Sequence, residues 1–470
     1  MKKKFLFLLF GFTLTAQSQE LLTIEKAIDI ALEQNHMLRS AQYDLSAARW
    51  GKWNSVTNFL PKVELSSSAT RIDQDTYIRA NAAIDFIKLG ASALGLPPSA
   101  LENIKPFAYL NSYETNLTVV QPVFNGGLEI VGLSAAGAIR DHSEYSYLDT
   151  EQDIIAKIKI TYLNVLKAEE FVALATESLE RTKRYLEMTK RRAELGTRTE
   201  TDVLRWEVQY SADEANLITA RNYLALAKLQ LNDLMGVDLH KEFTLEKIVQ
   251  ADSVTAVPVD TAFTGNFAPM GGTGEPASQG GTAHITFDRL SGHPSMLAME
   301  TNLRLASINI SKAWTNFLPR INFVYQYGWE RNGSVALDGI RPWALTLSVK
   351  YPIFNSFGDF TSLERSYAEY YRTEEQIESF KTGLVMQATN AQLNVNAAKM
   401  KIETTHKGLR QALDVLNSVT RRYETGGASN IDVIDVQTAY TSAKTNYITA
   451  LYDYYISEIQ FERATGVITK

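Results

Sequence analysis

The sequence lacks several features that would point to an enzyme or a nucleic-acid-binding protein. None of its 470 residues is cysteine, which excludes a disulfide framework, a thiolate metal site and a cysteine nucleophile. An excess of positive charge is also missing, because 47 Lys and Arg oppose 53 Asp and Glu, whereas nucleic-acid-binding proteins usually present a basic face. The six histidines form no metal-spaced pair, and neither a serine-hydrolase elbow nor a nucleotide-binding motif occurs. We therefore expect no enzyme activity, no metal, no cofactor and no nucleic-acid partner.

Long apolar runs are absent beyond the N-terminus. The chain begins MKKKFLFLLFGFTLTAQSQE, where three lysines precede a short apolar run and small residues follow. This pattern predicts a secretory signal peptide over residues 1–18, because the run is shorter than the ~20 residues that a membrane-spanning helix needs. No later segment has 18 consecutive apolar residues, so the mature chain would enter a membrane only as β-strands.

The chain repeats itself at long range. The stretch TNFLPK at 57–62 returns as TNFLPR at 315–320, an offset of 258 residues, and QPVFNGG returns as YPIFNSF at an offset of 230. The sequence therefore predicts a tandem duplication, with a first repeat over 19–237 and a second over 293–470.

Two segments do not repeat. The change of offset places 28 additional residues in the first copy, and we expect them within 72–110 as an extracellular loop. Residues 238–292 join the copies and are rich in Gly, Pro, Ser and Thr, which predicts a flexible linker. A phosphate-binding loop would need a Gly-Lys-Ser/Thr ending, which this segment does not have.

Each copy also contains a long helical pattern. From about 128 to 195, proline is absent and apolar residues recur every seven positions, and the second copy repeats this pattern. A strict seven-residue period predicts coiled-coil helices, here roughly 100 Å long. Short polar turns interrupt the pattern at about 196–201 and 426–431. Gly196 is suited to end the first long helix in the left-handed conformation, and Thr199 or Thr201 to cap the next helix.

A second pattern precedes each long helix. INFVYQYGWE at 321–330 and WALTLSVKY at 343–351 alternate apolar and polar residues, which predicts strands in hairpins at about 60–124 and 320–354. Aromatic residues on one face and polar residues on the other are typical of a membrane β-barrel, although a half-buried soluble sheet alternates in the same way. Four strands per chain cannot enclose a pore, so several chains would have to contribute. Proline stands at the predicted helix–strand junctions, namely Pro61, Pro122, Pro319 and Pro352.

The duplicated order of these segments resembles that of the TolC family of outer-membrane channel proteins. The resemblance covers the mature chain and implies a mixed fold in which a homotrimer builds a 12-stranded membrane β-barrel and a 12-helix α-helical barrel. It implies a passive exit duct of a tripartite efflux or type I secretion system, in the outer membrane of a Gram-negative bacterium and extending into the periplasm. Its partners would be a periplasmic adaptor (membrane fusion) protein, an inner-membrane pump and outer-membrane lipid. The alternative is a periplasmic coiled-coil structural or adaptor protein, which would explain the helices but not the strands.

The resemblance further implies a gate at the helical tips. Tyr423 of the second copy would form a hydrogen bond with Asp202, which follows Thr201 in the first copy, and so hold the tip closed. Asp432 and Asp435 would line the pore of a trimer as two carboxylate rings, whereas the residues alone favour ordinary surface or helix N-terminal positions.

The tip turns would provide the contact with the adaptor. These turns contain Gly196, Thr197, Gly426 and Gly427. The family pattern has an arginine two residues after the second-copy glycine, but this chain has Ala428 there. Arg198 of the first copy is a candidate substitute.

Overall fold

The structure is a computed structural model. It describes residues 21–95, 97, 106–247, 285–331 and 341–468. The predicted signal peptide and most of the predicted linker lie outside these residues. The chain divides into two units, a strand unit (Ser46–His142 and Glu300–Gln376) and a helical unit (the described parts of Met1–Leu45, Ser143–Met299 and Ile377–Lys470).

Two pairs of helices dominate the described chain. The helices are α1 (Ile24–Gln34), α2 (His36–Thr57), α3 (Gln74–Ala93), α4 (Leu128–Glu194), α5 (Glu200–Met235), α6 (Pro294–Trp314), α7 (Gly358–Glu424) and α8 (Asn430–Thr465). Helices α4 and α7 have 67 residues each, and the return helices α5 and α8 have 36 each. The two repeats thus build matching helical hairpins. None of the helices in the described residues combines the length and the hydropathy that crossing a membrane requires.

The strands form one larger sheet and one short parallel pair. They are β1 (Leu21–Leu22), β2 (Lys62–Arg71), β3 (Asn111–Asn125), β4 (Thr244–Leu245), β5 (Arg320–Arg331) and β6 (Trp343–Lys350). Strands β1 and β4 pair in parallel, and the larger sheet has the order β2-β3-β5-β6 with antiparallel neighbours. Each repeat therefore contributes one hairpin to a common four-stranded sheet.

The alternation in the sequence becomes two chemically different faces of this sheet. Phe323 pairs with Leu347 across β5 and β6, and Tyr325 pairs with Leu345, so apolar residues share one face. Leu347 is 65% exposed. On this apolar face, the β6 side chains are exposed in the single chain and Phe323 and Tyr325 of β5 are half-buried.

Three of the four prolines lie where a helix–strand junction was predicted. Pro61 and Pro319 directly precede β2 and β5, and Pro352 follows the end of β6. Pro122 does not mark a junction but lies inside β3, where the pairing with β5 shifts register before Phe124. Proline has no N–H to donate to the neighbouring strand, and a bulge is a position where a strand tolerates this loss. Strand β3 therefore continues for three residues beyond Pro122, to Asn125.

The turn after β3 depends on a glycine. Gly126 has a φ of +65°, which favours glycine, and a Cβ built there would lie 2.7 Å from the carbonyl oxygen of Thr315. The chain therefore reaches α4 through a turn that packs closely against the residues following α6.

The additional residues of the first copy contain α3. Asp73 caps this helix by accepting a hydrogen bond from the N–H of Thr76 at 2.9 Å. The buried side chain of Asn81 donates to the carbonyl of Ala108 at 2.9 Å and accepts from the N–H of Phe107 at 2.8 Å. One amide side chain thus fastens the helix to the segment that leads into β3.

In the helical unit, the seven-residue period forms the core. Ile402, Leu409, Leu416 and Tyr423 of α7 are all buried, and the first three pack in one cluster with residues of α8. The middle of helix α4 is packed in the same way, with buried aliphatic side chains such as Ile158. Closer to its C-terminal end, three buried positions of α4 are polar, namely Ser178, Thr182 and Thr189.

Candidate gate at the helical tips

The tip of each helical hairpin is a glycine turn followed by a capped helix. Gly196 and Gly426 have φ values of +74° and +84°, the left-handed conformation with which helices commonly end. Thr199 and Ser429 then begin α5 and α8, and each side chain accepts a hydrogen bond from the backbone N–H three residues later. The same local chemistry therefore fixes both turns.

Two predicted gate carboxylates complete these caps. Asp202 accepts hydrogen bonds from the backbone N–H and the hydroxyl of Thr199, at 3.2 and 2.9 Å. Asp432 accepts both equivalent bonds from Ser429 at 2.8 Å. The bonds from the backbone and side chain of Ser429, together with the charge of Arg422, lower the pKa of Asp432. Asp432 is therefore a negatively charged helix-terminal residue at neutral pH.

Tyr423 is completely buried beside this turn. Its hydroxyl donates to Oδ1 of Asn430 at 2.6 Å and lies 3.2 Å from Oγ1 of Thr189. The Nδ2 of Asn430 in turn donates to the backbone carbonyl of Asp202 at 3.2 Å. The predicted direct hydrogen bond between Tyr423 and Asp202 is therefore wrong, because the carboxylate of Asp202 caps its own helix and Asn430 bridges the two residues.

The ring of Tyr423 belongs to an aromatic and cationic cluster. Its centroid lies 5.8 Å from that of Tyr185 in an edge-on arrangement, and Tyr185 stacks on the buried Trp206 at 5.1 Å. The guanidinium carbons of Arg192 and Arg198 lie 5.6 and 5.3 Å from the Tyr423 centroid, within the range of a cation–π interaction. Arg198 thus places an arginine at the tip, in contact with the tyrosine ring.

A buried polar layer connects three helices near the tip. Thr182 of α4 donates its hydroxyl to Asp213 of α5 at 2.6 Å and accepts from Nε2 of Gln437 of α8 at 2.9 Å. Gln209 donates to the other oxygen of Asp213 at 3.0 Å. Thr182, Asp213 and Gln437 are all buried. We name these three residues the polar layer.

The remaining predicted site residues lie on the surface of the tip. Thr201, Asp435, Thr197 and Gly427 are exposed, and Thr197 donates its hydroxyl to the carbonyl of Arg192 at 2.9 Å. No group of His, Asp or Glu side chains among the described residues is arranged to hold a metal ion.

The sequence reasoning missed Asn430, Thr189, Trp206 and the polar layer. A signal for part of this set was present, because Ala168, Ala175, Thr182 and Thr189 recur every seven residues along α4. These four residues occupy one heptad position, which changes from alanine to threonine towards the tip. The change indicates a buried position that becomes polar.

Comparisons with known proteins place this geometry in a wider context. A family model described as outer membrane efflux protein matches residues 27–237 and 288–467. The chain is 23% identical to outer membrane protein TolC of Vibrio cholerae over 72% of this chain and 74% of that protein. It is also 23% identical to TolC of Escherichia coli over 70% of this chain, although that match spans only 64% of the Escherichia coli protein.

The solved structures give the same fold. The Campylobacter jejuni CmeC outer membrane channel aligns with a TM-score of 0.73 at 16% identity, over 94% of this chain and 85% of that chain. The comparisons confirm the family resemblance and the mixed helix-and-strand fold class that were predicted from the sequence.

Proposed function

Because the chain belongs to the outer membrane efflux protein family, we propose that it is the exit duct of an efflux or type I secretion system. Three copies form a passive channel in the outer membrane of a Gram-negative bacterium. A periplasmic adaptor protein and an inner-membrane pump deliver the cargo and supply the energy. The observation that carries this proposal is the four-stranded sheet, to which both repeats contribute one hairpin.

The sheet supports the proposal through its edges and its apolar face. Among the described residues, β2 and β6 each pair on one side only, and in lipid an open sheet edge is too costly to persist. Closing the edges with further copies of the same sheet removes this cost. Three copies give 12 strands, and the apolar face with the half-buried Phe323 and Tyr325 and the exposed Leu347 then contacts lipid.

Exposed apolar side chains on the long helices support the association of several copies. Two helices of the helical unit carry most of them: Leu204, Val208, Ile218 and Leu226 of α5, and Met386, Leu393, Met400 and Val415 of α7. Exposed apolar surface of this extent usually marks a protein interface. In the proposed trimer these side chains are buried against neighbouring copies.

The tips are the gate of this channel. The bridge from Tyr423 through Asn430 to Asp202, and the arginine pair on the Tyr423 ring, hold α7, α8 and α5 together in a closed state. Asp432 and Asp435 stand one helical turn apart and line the constriction as two rings of carboxylates. The tip turns around Thr197 and Gly427 contact the adaptor.

The insert between β2 and β3 lies on the extracellular side. It connects two membrane strands at the ends away from α2 and α4, which is the position of an external loop. Protease added to intact cells is expected to cut within 72–110 before it cuts the tip at Gly196. Earlier cutting at Gly196 would contradict this topology.

Membrane fractionation and conductance test the proposed function together. The protein should be recovered in the outer membrane and should open ion-conducting channels in planar lipid bilayers. A periplasmic structural or adaptor protein, the second candidate, would be recovered in the soluble periplasmic fraction and would not conduct ions.

A further inference from the structure

A groove with a positive charge lies between α2 and α4 within the strand unit. It has a volume of about 370 Å³ and is lined by Arg49, Lys52, Trp53, Val56 and Arg140. The four residues from α2 have the spacing of one helix face. Trp53 is 67% exposed, so the groove combines cations with an accessible aromatic ring.

Two of its cations have no ion-pair partner within the part of the chain that the structure describes. Neither Arg49 nor Lys52 forms an ion pair with any described residue, whereas Arg140 is paired with Asp141, which also binds Arg304. The groove therefore keeps two uncompensated positive charges on adjacent turns of α2. An anionic group with several oxygens, such as a phosphate, fits this arrangement.

The second repeat shows that the fold does not need these cations. At the offset of 258 residues, Arg49, Lys52 and Trp53 correspond to Ser307, Ile310 and Ser311 of α6. Helix α6 forms with the same position relative to its strand, directly before β5. A helix in this position therefore forms without the cations of the first repeat.

The groove lies close to the first strand of the sheet. Helix α2 ends at Thr57 and β2 begins at Lys62, so Lys52 lies about 8 Å along the helix from its end. Trp50 is also exposed on α2, and Trp314 is exposed at the end of α6. Tryptophan and basic residues are enriched at membrane–water interfaces, and long basic side chains extend towards the interface.

We propose that this groove binds the phosphate of an anionic phospholipid from the periplasmic leaflet of the outer membrane. Arg49 and Lys52 donate hydrogen bonds to the phosphate oxygens, and Trp53 packs against the glycerol backbone. This proposal rests on the proposed outer-membrane function. It adds a lipid site that belongs to the first repeat alone.

Native mass spectrometry of the purified trimer tests the site. The detergent-solubilised protein is mixed with equal amounts of phosphatidylglycerol and phosphatidylcholine that have identical acyl chains. Both lipids present a phosphate, but the quaternary ammonium of phosphatidylcholine is repelled by Arg49 and Lys52, so the wild type should retain phosphatidylglycerol in preference by about tenfold. Arg49→Ser combined with Lys52→Ile, which installs the residues of the second repeat, should abolish the preference.

Two further variants make the result specific. Lys52→Gln preserves most of the side-chain volume and should reduce the preference even if the double variant forms no trimer. Arg39→Gln removes an exposed positive charge from the same helix, about 20 Å from Lys52, and should leave the preference unchanged.

Three outcomes would overturn the lipid site. The first is an unchanged preference in Lys52→Gln and the double variant. The second is displacement of the lipid by inorganic phosphate at equal concentration, which would show a simple anion site. The third is an altered ion selectivity of the double variant in bilayers, which would place the cations in the pore. Failure of the proposed function is distinct, because the wild type itself would then not conduct.

Discussion

At the residue scale, one buried hydroxyl group connects the long helices at the tip. The hydroxyl of Tyr423 is placed between Asn430 and Thr189, and its ring is held by Arg192 and Arg198. The hydroxyl and the ring therefore make separate contributions. A substitution that removes only the hydroxyl distinguishes them.

Tyr423→Phe is expected to weaken the closed tip and to raise single-channel conductance in planar bilayers. The variant keeps the ring contacts but leaves Oδ1 of Asn430 without its donor, which costs about 1–3 kcal/mol per chain. Tyr440→Phe is the matched control, because Tyr440 is a buried tyrosine of α8 with no role in the bridge. Equal conductance in both variants and the wild type would show that the bridge does not hold the gate.

His293 is expected to make stability depend on pH. Burial and the nearby charge of Arg463 lower its pKa, so the folded protein favours the neutral imidazole. The contribution of neutral His293 to the free energy of unfolding is then fully present above the pKa of about 6.5 in the unfolded chain. It is lost as the pH falls through the lower pKa of the folded protein. Thermal unfolding at pH 8 and pH 5.5 should differ more for the wild type than for His293→Gln. An identical difference in the two proteins would assign the pH dependence to other groups.

The sequence predicted part of the tip at this scale. Tyr423 follows the buried line of α7, and the glycine turns and caps have recognisable residue types. Its partner Asn430 could not be predicted, because from the sequence the carboxylate of Asp202 is an equally good acceptor for the Tyr423 hydroxyl. The structure shows that this carboxylate is used in the capping box with Thr199. The choice between two short polar side chains depends on tertiary distances that a sequence does not contain.

At the scale of elements, the polar layer connects α4, α5 and α8 by side chains that water cannot reach. Thr182 contacts both Asp213 and Gln437. Such a layer stabilises one register of the helices, because sliding by a turn would take the Thr182 donor away from the buried carboxylate of Asp213.

Thr182→Val is expected to reduce stability by about 1–3 kcal/mol, because Asp213 loses a hydroxyl donor in a buried position. Hydrogen exchange should increase along α5 and α8. The control is Thr176→Val, since Thr176 lies on the same helix and donates only to the carbonyl of Val172, one turn earlier. An equal effect of both substitutions would show that the layer adds nothing beyond the loss of a helix threonine.

The elements themselves were largely predictable. The seven-residue period and the alternation of β5 and β6 follow directly from side-chain periodicity. The end of β3 was not predictable from Pro122, because a bulge allows a proline inside a strand. A proline at a bulge therefore does not by itself mark the end of a strand.

At the scale of the whole molecule, threefold symmetry would bring together the negative charges of two aspartates from each chain. Asp432 and Asp435 are exposed in the single chain, and Asp432 is an ordinary helix cap there. In a trimer they would become six carboxylates around a narrow aqueous passage, whose walls focus the field.

The channel is therefore expected to select cations. Asp432→Asn with Asp435→Asn removes the charges and keeps an acceptor oxygen for the cap, so it should shift the reversal potential in asymmetric salt towards zero. Asp75→Asn on α3 changes one charge far from the tips in sequence and should not shift it. Unchanged selectivity in the double variant would place these carboxylates away from the pore.

The central claim is that several identical chains close the four-stranded sheet into one barrel. Native mass spectrometry of the mature protein in detergent measures this directly. The proposed duct predicts one dominant species with three times the mass of the mature chain. A monomer or dimer as the sole species would contradict the claim, because four or eight strands could not build the 12-stranded barrel.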